Sequence, residues 1–259
     1  MPESDRSSSA RPFVKQNPQA PRGFFACEAA GLRWLAAADG GVPCARVLAV
    51  DDVSLTLERL TPAAPGRAAA REFGIRLART HDAGADGFGA PPAGWTGAGY
   101  FGPLGRPLPM AYRRDRTWGV FYAHRLTEMA ARAELDPQTR ASVDRVIDRC
   151  GAGDFDDGTD PARLHGDLWS GNVMWTPQGV VLIDPAAHGG HRESDLAMLA
   201  LFGCPHLDEV LAGYQQRRPL HPGWQHRVGL HQLYPLLAHV VLFGGGYLQQ
   251  TREAADSVS

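Results

Sequence analysis

An aspartate and an asparagine stand five residues apart in Leu164-His165-Gly166-Asp167-Leu168-Trp169-Ser170-Gly171-Asn172. The two glycines in that stretch predict a tight loop. A β-type run, Val180-Val181-Leu182-Ile183, then delivers Asp184 twelve residues after the asparagine. Phosphoryl transfer to an alcohol requires a carboxylate to accept the hydroxyl proton and oxygen ligands for a divalent cation. Asp167 suits the first task. Asn172 and Asp184 suit the second, because Mg²⁺ prefers oxygen ligands and keeps part of its water shell. His165 is expected to brace the loop rather than react. The competing reading is a glycine-rich turn whose Asp and Asn only cap backbone groups, and a strand-borne Asp184 at matching spacing argues against it.

A second group of residues supplies the other half of such a site. Of the 26 basic residues only Lys15 is a lysine; the rest are arginines. A compact ammonium on a flexible stem suits phosphate oxygens in a confined space better than a planar fork does. Lys15 ends a strand-like Pro12-Phe13-Val14, and Glu28 falls in the helix that follows. In that arrangement the carboxylate holds the lysine against the phosphates of ATP. The strand Ser54 to Leu60 then ends at a hinge where the backbone of Glu58, Arg59 and Leu60 could pair with adenine. The plain alternative is a surface lysine and a solvated helix glutamate.

These residues need elements to hold them. Helical periodicity covers Phe24 to Ala38, with Phe24, Cys27, Leu32 and Leu35 on the buried face. Arg46 to Val50 and Ser54 to Leu60 read as short strands turned by Asp51-Asp52. Thr61-Pro62-Ala63-Ala64-Pro65-Gly66 breaks the pattern as a linker. Ala68 to His81 is a predicted helix, and Ala83 to Pro109, crowded with glycine and proline, a long irregular loop. Thr117 to Ala133 and Pro137 to Cys150 follow as helices, the second with Asp136 as N-cap and Pro137 in its first turn. Val173 to Trp175 and Val180 to Ile183 are strands around the turn Thr176-Pro177-Gln178-Gly179. Residues 194–250 are mostly helical and lead into a polar tail; residues 1–11 are expected to be disordered. The resulting picture is an α+β chain, with a small β-rich lobe over residues 1–61 and a larger helical lobe over 62–259 that carries the catalytic and metal-binding loops.

Composition narrows the function classes. A net charge of -2 with no basic cluster excludes a general nucleic-acid binder. The longest apolar run, Leu233 to Phe243, is too short to span a bilayer, and Met1 to Arg11 lacks the apolar core of a signal peptide. A cytoplasmic protein with no membrane partner is the expectation. Cys27, Cys44, Cys150 and Cys204 are scattered, with no metal or disulfide spacing.

The chain resembles the fructosamine-3-kinase (ketosamine kinase) family, itself similar to aminoglycoside phosphotransferases. The resemblance runs from Phe13 to about Gln249. It is carried by Phe13-Val14-Lys15, by Cys27-Glu28-Ala29-Ala30-Gly31-Leu32, and by His165 to Asn172, in which Trp169 separates this loop from the aminoglycoside-kinase pattern. Ile183-Asp184-Pro185-Ala186, Gly190-His191-Arg192-Glu193-Ser194-Asp195-Leu196-Ala197-Met198 and the segments from His231 and Phe243 carry it further.

The resemblance implies a two-lobed protein-kinase-like fold and Mg-ATP-dependent phosphorylation of the sugar 3-hydroxyl of a ketosamine. The phosphorylated adduct then sheds its amine, so the outcome is deglycation. It also implies that Trp169 walls the sugar-amine and that His191, Arg192 and Glu193 orient the substrate or the loop. Asp195 is implied as a buried brace on the catalytic loop. Apart from the resemblance, the chain is expected to be a monomer or weak dimer. The alternatives are a kinase for another small alcohol such as an aminoglycoside, or an ATP-binding pseudokinase.

Two departures from the family pattern stand out. His188-Gly189 replaces a common tyrosine pair, which bears on substrate shape. Kinase lobes also place about 25–30 residues, including a phosphate-covering glycine loop, ahead of the lysine strand. Here 14 residues precede Lys15 and the first glycine is Gly23. The small lobe is therefore expected to be N-terminally truncated, its glycine loop missing. Either the start lies further upstream or ATP is held without that cover.

Overall fold

The computed structural model describes residues 11–258; the expected disorder of residues 1–10 lies outside them. The chain opens with strand β1 (Phe13–Gln16), helix α1 (Phe24–Ala36) and strands β2 (Val47–Val50) and β3 (Ser54–Leu57). β3 is the centre of a three-stranded antiparallel sheet in the order β1-β3-β2, with Lys15 opposite Leu55 and Val47 opposite Leu57. The Asp51-Asp52 turn forms as expected, and the Asp51 carboxylate accepts from the backbone of Val53 and Ser54. Phe24, Cys27, Leu32 and Leu35 are all on the buried face of α1.

Helix α2 (Arg67–Asp82) follows the linker. The glycine- and proline-rich segment after it is less irregular than its sequence suggests. It contains strands β4 (Gly99–Phe101) and β5 (Leu108–Met110), which pair antiparallel. Helices α3 (Trp118–Ala130) and α4 (Pro137–Ala152) come next. Asp136 caps α4 by accepting from the backbone N–H of Gln138 and of Thr139, each at 3.0 Å.

Strands β6 (Ala162–Leu164), β7 (Val173–Thr176), β8 (Gly179–Leu182) and β9 (His188–Gly190) then frame the candidate site. β7 and β8 form the expected hairpin, while β6 pairs with the distant β9, Leu164 opposite His188. That second pair closes the loop 165–172 and the segment 183–187 into one unit. Helices α5 (Glu193–Leu201), α6 (Leu207–Arg217), α7 (Trp224–Phe243) and α8 (Leu248–Asp256) complete the chain. The expected polar tail is α8, a helix that buries Thr251, Ala254 and Ala255.

Two apolar cores hold these elements. One joins α1, the three-stranded sheet, α2, β7, β8 and α6 through Phe25, Leu55, Phe73, Leu182 and Tyr214. The other joins α3, α4, α7 and α8 with β4 and β5 through Phe121, Leu126, Val146 and Leu237. Helices α2 and α6 approach so closely that a Cβ on Gly74 would stand 1.9 Å from the Val210 carbonyl oxygen. The backbone of residues 43–45 is tied to β8, with Ala45 N–H donating to Leu182 and Leu182 N–H to Pro43. This link fixes the strand that leads to Asp184 against the small sheet. Among the described residues no helix is long and apolar enough to cross a membrane, and all four cysteines are free thiols.

Candidate active site

Lys15 reaches from β1 to two carboxylates. Its Nζ lies 2.7 Å from Glu28 Oε1 on α1 and 2.5 Å from Asp184 Oδ1 beyond β8. Burial alone would lower the lysine pKa, but the charges of Glu28 and Asp184 hold it above the ordinary value. The ammonium is therefore charged, and residues 169 apart in sequence meet on it. Gly31 of α1 lets that helix lie on Pro185 and Ala187, just after Asp184. Asp184 has φ of +55°, rare for a residue with a side chain. The turn aims its carboxylate, which is 38% exposed, back into the cleft.

The loop 165–172 supplies the other members. Asn172 Nδ2 donates to the Asp167 carbonyl at 2.7 Å, to Asp167 Oδ2 at 3.2 Å and to the Asp184 carbonyl at 3.4 Å. With its nitrogen engaged in the loop, the asparagine presents Oδ1 as a ligand atom. Oxygens from Asn172 and Asp184, with water completing the shell, fit what Mg²⁺ asks of a protein. Burial pushes the Asp167 carboxyl up to about 7, with Asp184 and Asp195 adding to the rise and Asn172 opposing it. A carboxyl so tuned can accept a proton near neutral pH.

The loop is held from beneath. His165 is buried, donates through Nε2 to the Ile183 carbonyl at 2.8 Å, and accepts the Asp167 N–H at Nδ1. It braces the loop, as expected. Asp195 accepts from the backbone N–H of His165 at 2.8 Å and of Gly166 at 3.0 Å. His81 of α2 donates to the same carboxylate at 3.2 Å, and its other nitrogen meets the Tyr214 hydroxyl at 2.8 Å. Burial works against the Asp195 charge, yet these partners keep its pKa below the usual range. Gly166 has φ of +80°, and a Cβ there would meet the Ala186 carbonyl oxygen at 2.2 Å.

His191, Arg192 and Glu193 are brought near the site but do not face it. They are 3%, 8% and 4% exposed. His191 pairs with Asp157, and Arg192 with Asp82 and the Tyr214 hydroxyl. Glu193 takes both arms of Arg227, at 2.5 and 2.8 Å. Burial would raise the Glu193 pKa, but His231 and Arg227 hold it down at about 2. Their partners, Asp157, Asp82, Tyr214 and Arg227, lie outside the loop 165–172. His191, Glu193 and His231 come within metal-binding distance of one another. Both Glu193 oxygens are gripped by Arg227, however, and both His191 nitrogens are engaged, so the cluster fits an ion-paired brace and not a metal centre.

Trp169 is 41% exposed, which rules out plain core packing for its ring. The ring folds across Gly171, where a Cβ would stand 2.2 Å from it. It meets Phe202 edge-on, Phe202 stacks toward His239, and His239 touches Phe243 and Tyr247. His239, Phe243 and Tyr247 stand four residues apart, but Trp169 and Phe202 lie far upstream, so the wall as a whole does not show in the sequence.

The expected hinge residues lie past the end of β3. The Glu58 N–H is already bonded to the Arg46 carbonyl, and Arg59 turns outward to the carbonyls of Arg11 and Pro12. Leu60 is half-buried against the core of the small sheet.

A sequence profile of fructosamine kinases matches residues 5–258. The chain belongs to the fructosamine kinase family. A probable ketoamine kinase of Enterococcus faecium is 33% identical over 252 residues, spanning 95% of this chain and 86% of the relative. The crystal structure of a candidate fructosamine-3-kinase from Thermobifida fusca superposes with a TM-score of 0.85 at 45% identity, over 95% of this chain and 85% of that one. An aminoglycoside phosphotransferase in ternary complex with ADP and hygromycin B shares the fold, with a TM-score of 0.56 and 16% identity over 90% of this chain and 81% of that one. The fold is thus the two-lobed, kinase-like one that family membership implies, and the chain is a phosphotransferase.

Proposed function

We propose that this fructosamine kinase family member phosphorylates the sugar 3-hydroxyl of ketosamines at the expense of Mg-ATP. The observation that carries the reading is the convergence of Lys15, Glu28, Asp167, Asn172 and Asp184 on one cleft. Asp167 accepts the proton of the acceptor hydroxyl. Lys15, steadied by Glu28, holds phosphate oxygens, and the backbone near Leu60 faces the adenine. Asn172 and Asp184 would hold Mg²⁺, which when bound neutralises charge on the transferring phosphate. Trp169 and the aromatic wall from Phe202 to Tyr247 give an apolar surface for the sugar-amine. We place the boundary between the nucleotide-holding lobe and the catalytic lobe at residues 61 and 62.

A ketosamine phosphorylated at O3 is prone to elimination and releases its amine, so the activity would reverse glycation. The family match and the exposed Trp169 support a ketosamine over an aminoglycoside. The test is incubation with Mg-ATP and a ribulosamine-bearing lysine, followed by mass spectrometry. Phosphate on the sugar, formed about 10²–10⁴-fold more slowly by Asp167→Asn, is expected. No transfer to any ketosamine by a wild-type protein that still binds ATP would overturn the reading.

A further inference from the structure

Arg125 on α3 is 5% exposed, and neither Nη1 nor Nη2 has an acceptor in hydrogen-bonding geometry among the described residues. A guanidinium stays protonated at any physiological pH. Its carbon lies 5.0 Å from the Phe121 ring centre and 5.5 Å from that of Tyr234. Those π faces, and the Tyr234 hydroxyl close to the guanidinium, offset part of the charge, but no acceptor in hydrogen-bonding geometry meets Nη1 or Nη2, and a buried charge without such partners is costly.

The guanidinium borders a cavity of about 40 Å³, lined also by Phe101, Phe121, Gly166, His188 and Tyr234. One water needs roughly 10–15 Å³, so the space has room for a monatomic ion or a few waters. Asp195 also reaches its wall, but that carboxylate is already engaged by the His165 and Gly166 N–H groups and by His81. His188 gives Nδ1 to the Ala186 carbonyl at 2.8 Å. Burial, with the Arg125 charge nearby, holds its pKa down at about 4, so the ring is neutral at pH 7.

We infer that this cavity is a binding site for a small monatomic anion, chloride under cellular conditions, held by Arg125. The cavity reaches Gly166, next to Asp167, and its lining includes neither Lys15 nor Asp184.

Crystals soaked in sodium bromide, with data collected at the bromine edge, test the proposal directly. An anomalous peak within hydrogen-bonding distance of Arg125 Nη1 or Nη2 is expected. In solution, Tm should be higher in chloride than in gluconate at equal ionic strength, and Arg125→Met should abolish the difference. Water alone in the cavity, or Arg125 turned to a protein acceptor, would overturn the proposal. So would a bromide peak with equal Tm in the two salts, which would mean binding at crystal concentration only. The wild-type crystal and the wild-type salt comparison decide the matter even if Arg125→Met does not fold.

Discussion

Asn172 donates one amide to both oxygens that Asp167 offers it, the backbone carbonyl at 2.7 Å and the carboxylate at 3.2 Å. The residue proposed to ligate metal thus also orients the residue proposed to take the proton. Asn172→Ala removes both functions at once. Its kcat should fall at least as far as that of Asp167→Asn, and the double variant should be little worse than either single, because residues acting as a unit are not additive. Steady-state kinetics of the three variants check this.

Asp167→Asn keeps the shape of the loop and removes the base. A positioned general base contributes about 10²–10⁴-fold, so kcat should drop by that factor while ATP affinity, measured by calorimetry, stays near wild type.

The pH dependence follows from the same carboxyl. Burial raises its pKa to about 7, and the proton-accepting form is the ionised one. Activity should therefore be full above that value and fall tenfold per pH unit well below it. A kcat/KM profile with an acid limb near 7, absent from the residual activity of Asp167→Asn, is the expected result.

Lys15 sits between two carboxylates at 2.7 and 2.5 Å, a gap that a point-like ammonium fills and a planar fork does not. Lys15→Met should cost about 10²–10³-fold in kcat/KM for ATP, the scale for removing one charge-stabilising donor. Lys15→Arg should fail to restore most of it. Glu28→Gln should be milder, because Asp184 still holds the lysine.

Asp195 answers three buried donors: His165 N–H, Gly166 N–H and His81. Asp195→Ala leaves them all unpaired and should cost about 3–5 kcal/mol in urea unfolding. His81→Phe removes only one partner and should cost less. Its reduced kcat with an unchanged KM for ATP would mark His81 as acting through the loop.

Trp169→Ala should raise KM for a ketosamine and leave KM for ATP unchanged. Because the ring is 41% exposed, unfolding free energy should move by no more than about 0.5 kcal/mol.

The parts of the site that could be read from sequence are those written locally. The loop 165–172 combines glycines with two polar residues at fixed spacing. Asp184 ends an apolar run, and Lys15 stands out as the single lysine. The parts that could not be read depend on partners far along the chain. His191, Arg192 and Glu193 look available in sequence, and only Asp157, Asp82 and Arg227 make them buried braces. β4, β5, β6 and β9 are three residues each, too short for alternation to register. His81 sits on the buried face of a helix, where a lone histidine gives no sign that it meets Asp195.

The most direct test of the account is to locate the transferred phosphate. Phosphorus–proton correlation NMR on a ribulosamine product should show coupling to the proton on sugar carbon 3, and Asp167→Asn should form that product about 10²–10⁴-fold more slowly. Phosphate at another hydroxyl, or ATP hydrolysis without any sugar phosphate, would contradict it.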